Sequence, residues 1–206
     1  MDRNTETTIQ AYDATVLDYH EKTKDLFHSK EAKLFTALVG SGAHILDHGS
    51  GPGRDAKLFT EFGYRVTGID LSQKMNDFAS KIAPKADFMN MDIRNLDFED
   101  ETFNGVWSVT SLLHLPKSDI PGALSEVYRV LKRGGIFYCV VKQGEGEELR
   151  VDPRYEERIE KFFSSFLSSE LENFLSDANF RIIRSRMATL DTYSIRPELR
   201  IFSAKN

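Results

Sequence analysis

The chain carries one cysteine in 206 residues, Cys139. That excludes an internal disulfide framework and a cysteine-rich zinc site. Cys139 lies in the apolar run Phe137, Tyr138, Cys139, Val140, Val141, so a buried, inert thiol is expected there. Long apolar runs are missing too, and nothing approaches the roughly 20 residues that cross a bilayer. The first eight residues are polar and hold no signal-peptide core. A cytoplasmic protein with no membrane partner is expected. A basic excess is also missing. Lys and Arg number 27 against 32 Asp and Glu, a formal charge of −5, and nucleic-acid binding wants the opposite field. No repeat appears, and no His, Cys, Asp or Glu cluster has metal-ligand spacing, so no metal is expected.

What is present is enough apolar sequence, 40% hydrophobic with 15 Phe, for one domain over 1–206 with its own core. Short apolar runs alternate with segments of helical period, which is the mark of an α/β domain with a mostly parallel sheet. Strands are expected at 43–47, 65–70, 86–91, 103–110, 136–142, 180–187 and 199–204. A helix after Gly53 carries Ala56, Phe59 and Phe62, with Gly63 as its stop. Ser72 caps the next helix, which runs toward Lys81. The cleanest helical period is Leu124, Val127, Tyr128 and Leu131, closed by Gly134 and Gly135. The segment 143–160 reads as a charged loop. Ser169 and Glu172 form a capping box for a helix bearing Leu171, Phe174, Leu175 and Ala178. Ahead of the first strand, Ile9, Tyr12, Val16 and Tyr19 make one stripe, and Leu34, Phe35 and Leu38 mark a second helix. This helical layer, 1–40, either caps the sheet or closes over a ligand.

The chemistry centres on the turn Asp47, His48, Gly49, Ser50, Gly51, Pro52, Gly53. In an open parallel sheet ligands bind beyond the carboxyl ends of the strands. Glycines there let a ligand approach the backbone. A phosphate-binding loop needs Gly-Lys-Ser/Thr, which this turn lacks. A dinucleotide site needs a third glycine where Arg54 stands, and Asp47 would repel a pyrophosphate. S-adenosylmethionine fits better, because it has no phosphate but has an ammonium and a sulfonium that Asp47 favours. Arg54 either meets the ligand carboxylate or pairs with Asp55. Asp70, 19 residues after Gly51, suits two ribose hydroxyls, although a helix-capping acid is the alternative. Asp92 can accept from the adenine amino group or simply form a turn. Leu71 and Ile93 can sandwich the base, with Met75 beside them.

The runs Ile45 to Asp55 and Val66 to Ser72 resemble the first two motifs of class I S-adenosylmethionine-dependent methyltransferases. Ser108 to Leu115 and Val130 to Gly135 resemble the later ones. The resemblance covers the chain from about Tyr12 onward and is similar to the small-molecule branch that includes the tellurite-resistance methyltransferases. It implies a Rossmann-like α/β fold: a seven-stranded, mostly parallel sheet whose last strand is antiparallel, with helices on both faces. It also implies cofactor contacts from Tyr19, Ser108 and Val109, beside the turn residues Gly49, Ser50, Gly51 and Gly53. His48 departs from the small or apolar residue usual in the family and is expected to be structural.

Methyl transfer from a sulfonium is an in-line displacement in which positioning supplies much of the acceleration. A base is needed only if the acceptor must lose a proton. His114, among leucines past the fourth strand, is the candidate base, and packing is its alternative role. His20 and His28 are weaker. The acceptor is expected to be a small molecule, met by Arg150, Arg154 and Tyr155 in the charged loop, and the protein a monomer or homodimer. Rival readings are a nicotinamide-dependent oxidoreductase and a module that binds S-adenosylmethionine without turning it over.

Overall fold

A computed structural model describes residues 2–26, 28–188 and 197–206. In chain order the elements are α1 (Arg3–Thr23), α2 (Ser29–Val39), β1 (His44–His48), α3 (Arg54–Glu61), β2 (Arg65–Asp70), α4 (Gln73–Ile82), β3 (Asp87–Asn90) and β4 (Phe103–Val109). Two short 3-10 turns, Leu112–His114 and Lys117–Asp119, lead to α5 (Ile120–Val130), β5 (Leu131–Lys142), β6 (Glu147–Val151), β7 (Glu160–Ser164), α6 (Ser168–Asp177), β8 (Phe180–Ala188) and β9 (Glu198–Lys205). Seven strands form one sheet in the order β3-β2-β1-β4-β5-β9-β8. β9 runs antiparallel to both its neighbours, and the pairs among β1 to β5 are parallel. This is the expected Rossmann-like sheet, last strand antiparallel.

Two apolar layers sandwich it. α5 and α6 press Leu124, Val127, Leu171 and Leu175 onto one face, with Leu46, Val106 and Phe137 from the strands. α2 and α3 press Phe35, Ala56 and Phe59 onto the other, against Ile45, Trp107 and Tyr138. β4 alternates between the two layers and is buried on both faces, which explains its continuous apolar run. Cys139 is free and buried, and burial pushes its thiol up to about 12. Among the described residues no helix is long and apolar enough to cross a membrane.

Three local expectations fail. The segment 143–160 is largely a hairpin, β6 paired antiparallel with β7, in which Leu149 faces Phe162 and Glu148 faces Phe163. Its charged strand hid the period-two alternation. The helix at Leu124 stops at Val130; Leu131 is extended and already pairs with Phe103, so Gly134 and Gly135 lie within β5. The capping box does not form. Leu167 occupies the cap position without a side-chain bond, and Glu172 instead accepts from Ser185 Oγ at 2.6 Å. Most of the connection between β8 and β9, 189–196, lies outside the described residues.

α1 departs from its apolar stripe in a way that bears on function. Its buried positions are Thr5, Thr8, Ala11, Thr15, Val16 and Thr23, while Ile9, Tyr12 and Tyr19 line a cavity. Thr8, Thr15 and Thr23 bond back to carbonyls one turn earlier, and Thr5 donates to the Asp2 carboxylate. Thr8 Oγ1 also accepts from the Phe162 amide at 3.0 Å, fastening α1 to the hairpin.

Candidate active site

Two chambers open beyond the carboxyl ends of β1, β2 and β4. The first, about 750 Å³, is bounded by the glycine turn, the end of β2 and α1. The second, about 1330 Å³ counted to its mouth, lies between α1, the start of α3 and the β6–β7 hairpin. They share Tyr12, Tyr19, Val109, Thr110 and His114.

Asp70 is the best-defined group of the first chamber. Its Oδ2 accepts from the Gly51 amide and its Oδ1 from the Ser72 amide, each at 2.9 Å. Each oxygen keeps a second lone pair for a ligand hydroxyl. Burial pushes this carboxyl up to about 6. Ser72 caps α4 through the Met75 amide, as expected, and its hydroxyl donates to Asp13 of α1. Gly49, Leu71, Met75 and Ile93 line the same chamber, as do Tyr19 and Val109. A β-carbon on Gly51 (φ +50°) would stand in open space 4.0 Å from Tyr19, whereas one on Gly49 would strike Ser111 and one on Gly53 would strike Ala79. Gly51 thus leaves room for a ligand, while Gly49 and Gly53 leave room for the protein itself.

Other expected residues stand behind the chamber wall. Asp47 is buried, accepts from the Ala56 amide, and is pushed well up by burial and by Asp55. Its Oδ2 and the Ser50 hydroxyl are buried without a hydrogen-bond partner, so polar capacity is held in reserve at the glycine turn. Arg54 takes the pairing alternative, binding Asp55 through Nε and Nη2 at 2.9 and 2.8 Å. Trp107 Nε1 donates to the same carboxylate. Arg54 still borders the second chamber. Asp92 lies outside the chamber lining, with its carboxylate held by Arg94 Nη2 at 2.7 Å and Nε at 3.0 Å. Arg94 also reaches Asp2 and Asp119, which ties down the start of α1.

Ser108 is fully buried, and its Oγ lies 2.7 Å from Ser111 Oγ and 3.2 Å from His48 Nδ1. Ser111 in turn donates to the His48 carbonyl. On the other side of the ring, His48 Nε2 faces the Ile93 carbonyl at 3.4 Å. Burial holds His48 neutral, at about 4. It therefore braces the crossing of β1 and β4, in keeping with the structural role expected for it.

His114 borders both chambers, but both ring nitrogens are engaged. Nδ1 lies 2.8 Å from the Phe162 carbonyl and must donate there, which leaves Nε2 to accept from the Tyr12 hydroxyl at 2.8 Å. Burial pulls the ring down to about 3. His28, a weaker candidate by sequence, also borders the second chamber, and its buried Nδ1 has no partner. Burial takes it to about 4. Its placement depends on the α1–α2 connection meeting the end of β9, which no local pattern announces. Arg150 and Arg154 border the second chamber as well. Tyr155 stands behind it, its ring 5.9 Å from the Arg154 guanidinium.

Residues 45–135 match the family model described as a methyltransferase domain. The chain is 32% identical over 149 residues to a malonyl-[acyl-carrier protein] O-methyltransferase of Salmonella typhimurium, covering 71% of this chain and 58% of that protein. The chain therefore spans less than two thirds of that relative's length. Among solved structures, an S-adenosylmethionine-dependent methyltransferase from Methanosarcina mazei superposes with a TM-score of 0.77 at 25% identity, covering 88% of this chain and 98% of that one. A 1,6-didemethyltoxoflavin-N1-methyltransferase of Burkholderia thailandensis, solved with its substrate and S-adenosylhomocysteine, gives 0.78 at 22% identity over 100% of this chain and 92% of that one. That second likeness speaks to the fold. The chamber beside Gly51 lies where this fold and its strand-end rule put the ligand.

Proposed function

We propose that the chain is an S-adenosylmethionine-dependent methyltransferase acting on a small molecule. The observation that carries the reading is Asp70: a buried carboxylate fixed by two backbone amides, with lone pairs to spare, facing a chamber walled by Gly51 and apolar side chains. The unpartnered Asp47 Oδ2 and Ser50 Oγ lie behind the wall of that chamber, at the glycine turn. Asp70 would hold the ribose, Leu71, Met75 and Ile93 the base, and the Asp47 end of the turn the amino-acid portion. Bound there, S-adenosylmethionine supplies an activated methyl group. Tyr12, Tyr19, Val109 and Thr110, shared by both chambers, would orient the acceptor toward it and keep water out.

The cytoplasm, where a lone buried thiol stays reduced, suits this chain as monomer or homodimer, with residues 1–40 serving as the cap of the cofactor chamber. A chamber enclosed between α1 and the hairpin suits a small acceptor better than a nucleic acid. The fitted ligand also separates this reading from a nicotinamide-dependent oxidoreductase, since Asp47 opposes a pyrophosphate at the turn. Titration calorimetry with S-adenosylhomocysteine and with NADH tests it. Binding of the first alone is expected; binding of NADH alone would overturn it. Transfer of a labelled methyl group across an acceptor panel then tests the catalytic part against a non-catalytic binding role.

A further inference from the structure

The turn after β4 holds a strained residue where the two chambers meet. Among the described residues, three that are not glycine have a left-handed φ: Glu101, Thr110 and Asn179. Glu101 is exposed in a turn, and asparagine tolerates this conformation. Thr110, at φ +57°, is the β-branched one of the three, and a branched side chain crowds the backbone there. Glycine would make the same turn without that penalty. The conformation is imposed from both sides. The Thr110 amide donates to the Val140 carbonyl at 2.9 Å, beside the pairing of Val109 with Val140. Next along the chain, Ser111 donates to the His48 carbonyl at 2.7 Å and stands so close to Gly49 that a β-carbon there would lie 2.3 Å from its own. Strain fixed in this way collects at functional sites.

Thr110 borders both chambers. Its amide is spent on Val140, and its hydroxyl bonds to no other described residue. The other polar side chains common to the two chambers are Tyr12, Tyr19 and His114. Tyr12 and His114 hold each other, His114 also holds the Phe162 carbonyl, and Tyr19 sets its ring edge-on to Tyr12 with centroids 5.3 Å apart. We infer that the Thr110 hydroxyl binds the attacking atom of the methyl acceptor, through a hydrogen on that atom. The assignment rests on the methyltransferase reading above and narrows it to acceptors that attack through an amine nitrogen bearing N–H. The hydroxyl oxygen accepts from that N–H and so aims the nitrogen lone pair at the cofactor. In the transfer the lone pair forms the new N–C bond as the S–C bond breaks. The sulfur keeps that electron pair and becomes a neutral thioether, the nitrogen becomes positive, and its hydrogen then leaves to solvent as a proton. The attack needs no base, which suits a junction whose histidine is engaged at both ring nitrogens. A hydroxyl acceptor would need its proton removed during attack, and a tertiary amine or thioether has no hydrogen for Thr110 to hold.

Sinefungin, an S-adenosylmethionine analogue with an amine-bearing carbon in place of the methylated sulfur, puts N–H donors at the point of transfer. S-adenosylhomocysteine puts none there. Titration calorimetry measures both in wild type, Thr110→Val, Thr110→Ala, Thr110→Ser and Thr110→Gly. If S-adenosylhomocysteine does not bind wild type, the methyltransferase reading falls and this assignment with it; every later failure sinks this assignment alone. Thr110→Val keeps the shape without the hydroxyl, and Thr110→Ala repeats the comparison with a smaller side chain. Both should lower the preference for sinefungin over S-adenosylhomocysteine at least about tenfold, and Thr110→Ser should keep it within about twofold. Thr110→Gly should lose the preference too, while its melting temperature holds or rises. A merely structural role would change both affinities together and leave the preference as it was. Aniline should bind the S-adenosylhomocysteine-saturated wild type severalfold more tightly than N,N-dimethylaniline by ligand-observed NMR, and Thr110→Val should not make the distinction. A sinefungin preference unchanged in Thr110→Val and Thr110→Ala or lost in Thr110→Ser, a melting temperature for Thr110→Gly several degrees below wild type, or no preference for aniline in wild type would each overturn the assignment.

Discussion

Asp70→Asn probes the cofactor chamber at its most constrained group. Asn offers one oxygen and one amide in place of two oxygens, so either the Gly51 or the Ser72 N–H is left facing a donor. The stranded donor costs about 1–3 kcal/mol, free and bound alike, and shows as a lower melting temperature. Only the complex loses a carboxylate acceptor for ligand hydroxyls, a charge-assisted bond worth about 1.5–3 kcal/mol, or about 10- to 150-fold in Kd. The pH profile separates this from a mere packing defect. Burial raises the Asp70 carboxyl from 3.8 to about 6, a penalty on the ionised form of about 3 kcal/mol. Because the folded-state value is raised, the penalty is fully present above about pH 6 and is relieved as pH falls from there toward the ordinary value. Hydroxyl donors favour the ionised form and pull the carboxyl back down. Affinity for S-adenosylhomocysteine should therefore weaken as pH drops through 6, by about tenfold between pH 7 and pH 5. Asp47, also raised by burial and Asp55, is common to both proteins, so the difference between the two profiles belongs to Asp70. Asp87→Asn, at an exposed position of β3, should match wild type throughout. Titration calorimetry reads all three proteins. A wild-type profile flat between pH 7 and pH 5, or the same slope in Asp70→Asn, would refute the ribose role.

The glycines give a contrast. Gly53→Ala, with φ +83° and a β-carbon 2.9 Å from Ala79 Cβ, should lose about 2 kcal/mol in urea unfolding. Gly51→Ala should lose about 1 kcal/mol or less but weaken S-adenosylhomocysteine at least about tenfold by entering its chamber, and equal affinity in the two variants would contradict this division. Tyr12→Phe removes the bond to His114 and should cost about 1 kcal/mol; because His114 stays neutral, the loss measured by denaturation should be the same at pH 6 and pH 8. His28→Leu deletes a buried unpartnered nitrogen, so melting temperature should hold or rise while methylation of an accepted substrate changes, and a fall of several degrees would show that His28 is satisfied after all.

The strands and the glycine turn were legible in the sequence because each rests on local chemistry. β2 and the fourth strand show apolar runs, Ser72 precedes its helix, and Asp70 ends a strand beside Gly51. The misreadings all involve partners distant in sequence. Leu131 has the helical period, yet its pairing with Phe103 claims it for β5. Glu147 to Val151 looks like solvated loop because Phe162 and Phe163, which make it a strand, come a dozen residues later. Asp92 is expected to meet the adenine or to form a turn; its carboxylate is held by the nearby Arg94, which also gathers Asp2 and Asp119 from distant segments. The same holds for charge. Arg154 and Lys161 can be seen one by one, but their shared contact with Asp152 appears only once the hairpin folds back. The first chamber is legible because it is built largely from one contiguous turn and two strand ends. The second is not, because it is assembled from α1, α3, the hairpin and β9.

The tautomer of His114 bears on what chemistry this chamber must supply. The Phe162 carbonyl fixes the proton on Nδ1, so Nε2 already holds the Tyr12 hydroxyl. For His114 to take a proton from an acceptor, that bond must break, and a ring held at about 3 must charge at neutral pH, which costs about 5 kcal/mol. An acceptor whose attacking atom already carries a free lone pair asks for no such transfer. On that view the Tyr12–His114–Phe162 line is a brace. It joins α1, the turn after β4 and the hairpin across the place where the two chambers meet, and holds the walls on either side of the reacting atoms at fixed separation. His114→Gln, which can keep one of the two bonds, should then reduce turnover by raising KM and lowering melting temperature together, with the pH profile of kcat unchanged. A pH profile that loses a limb in His114→Gln would instead make His114 the base.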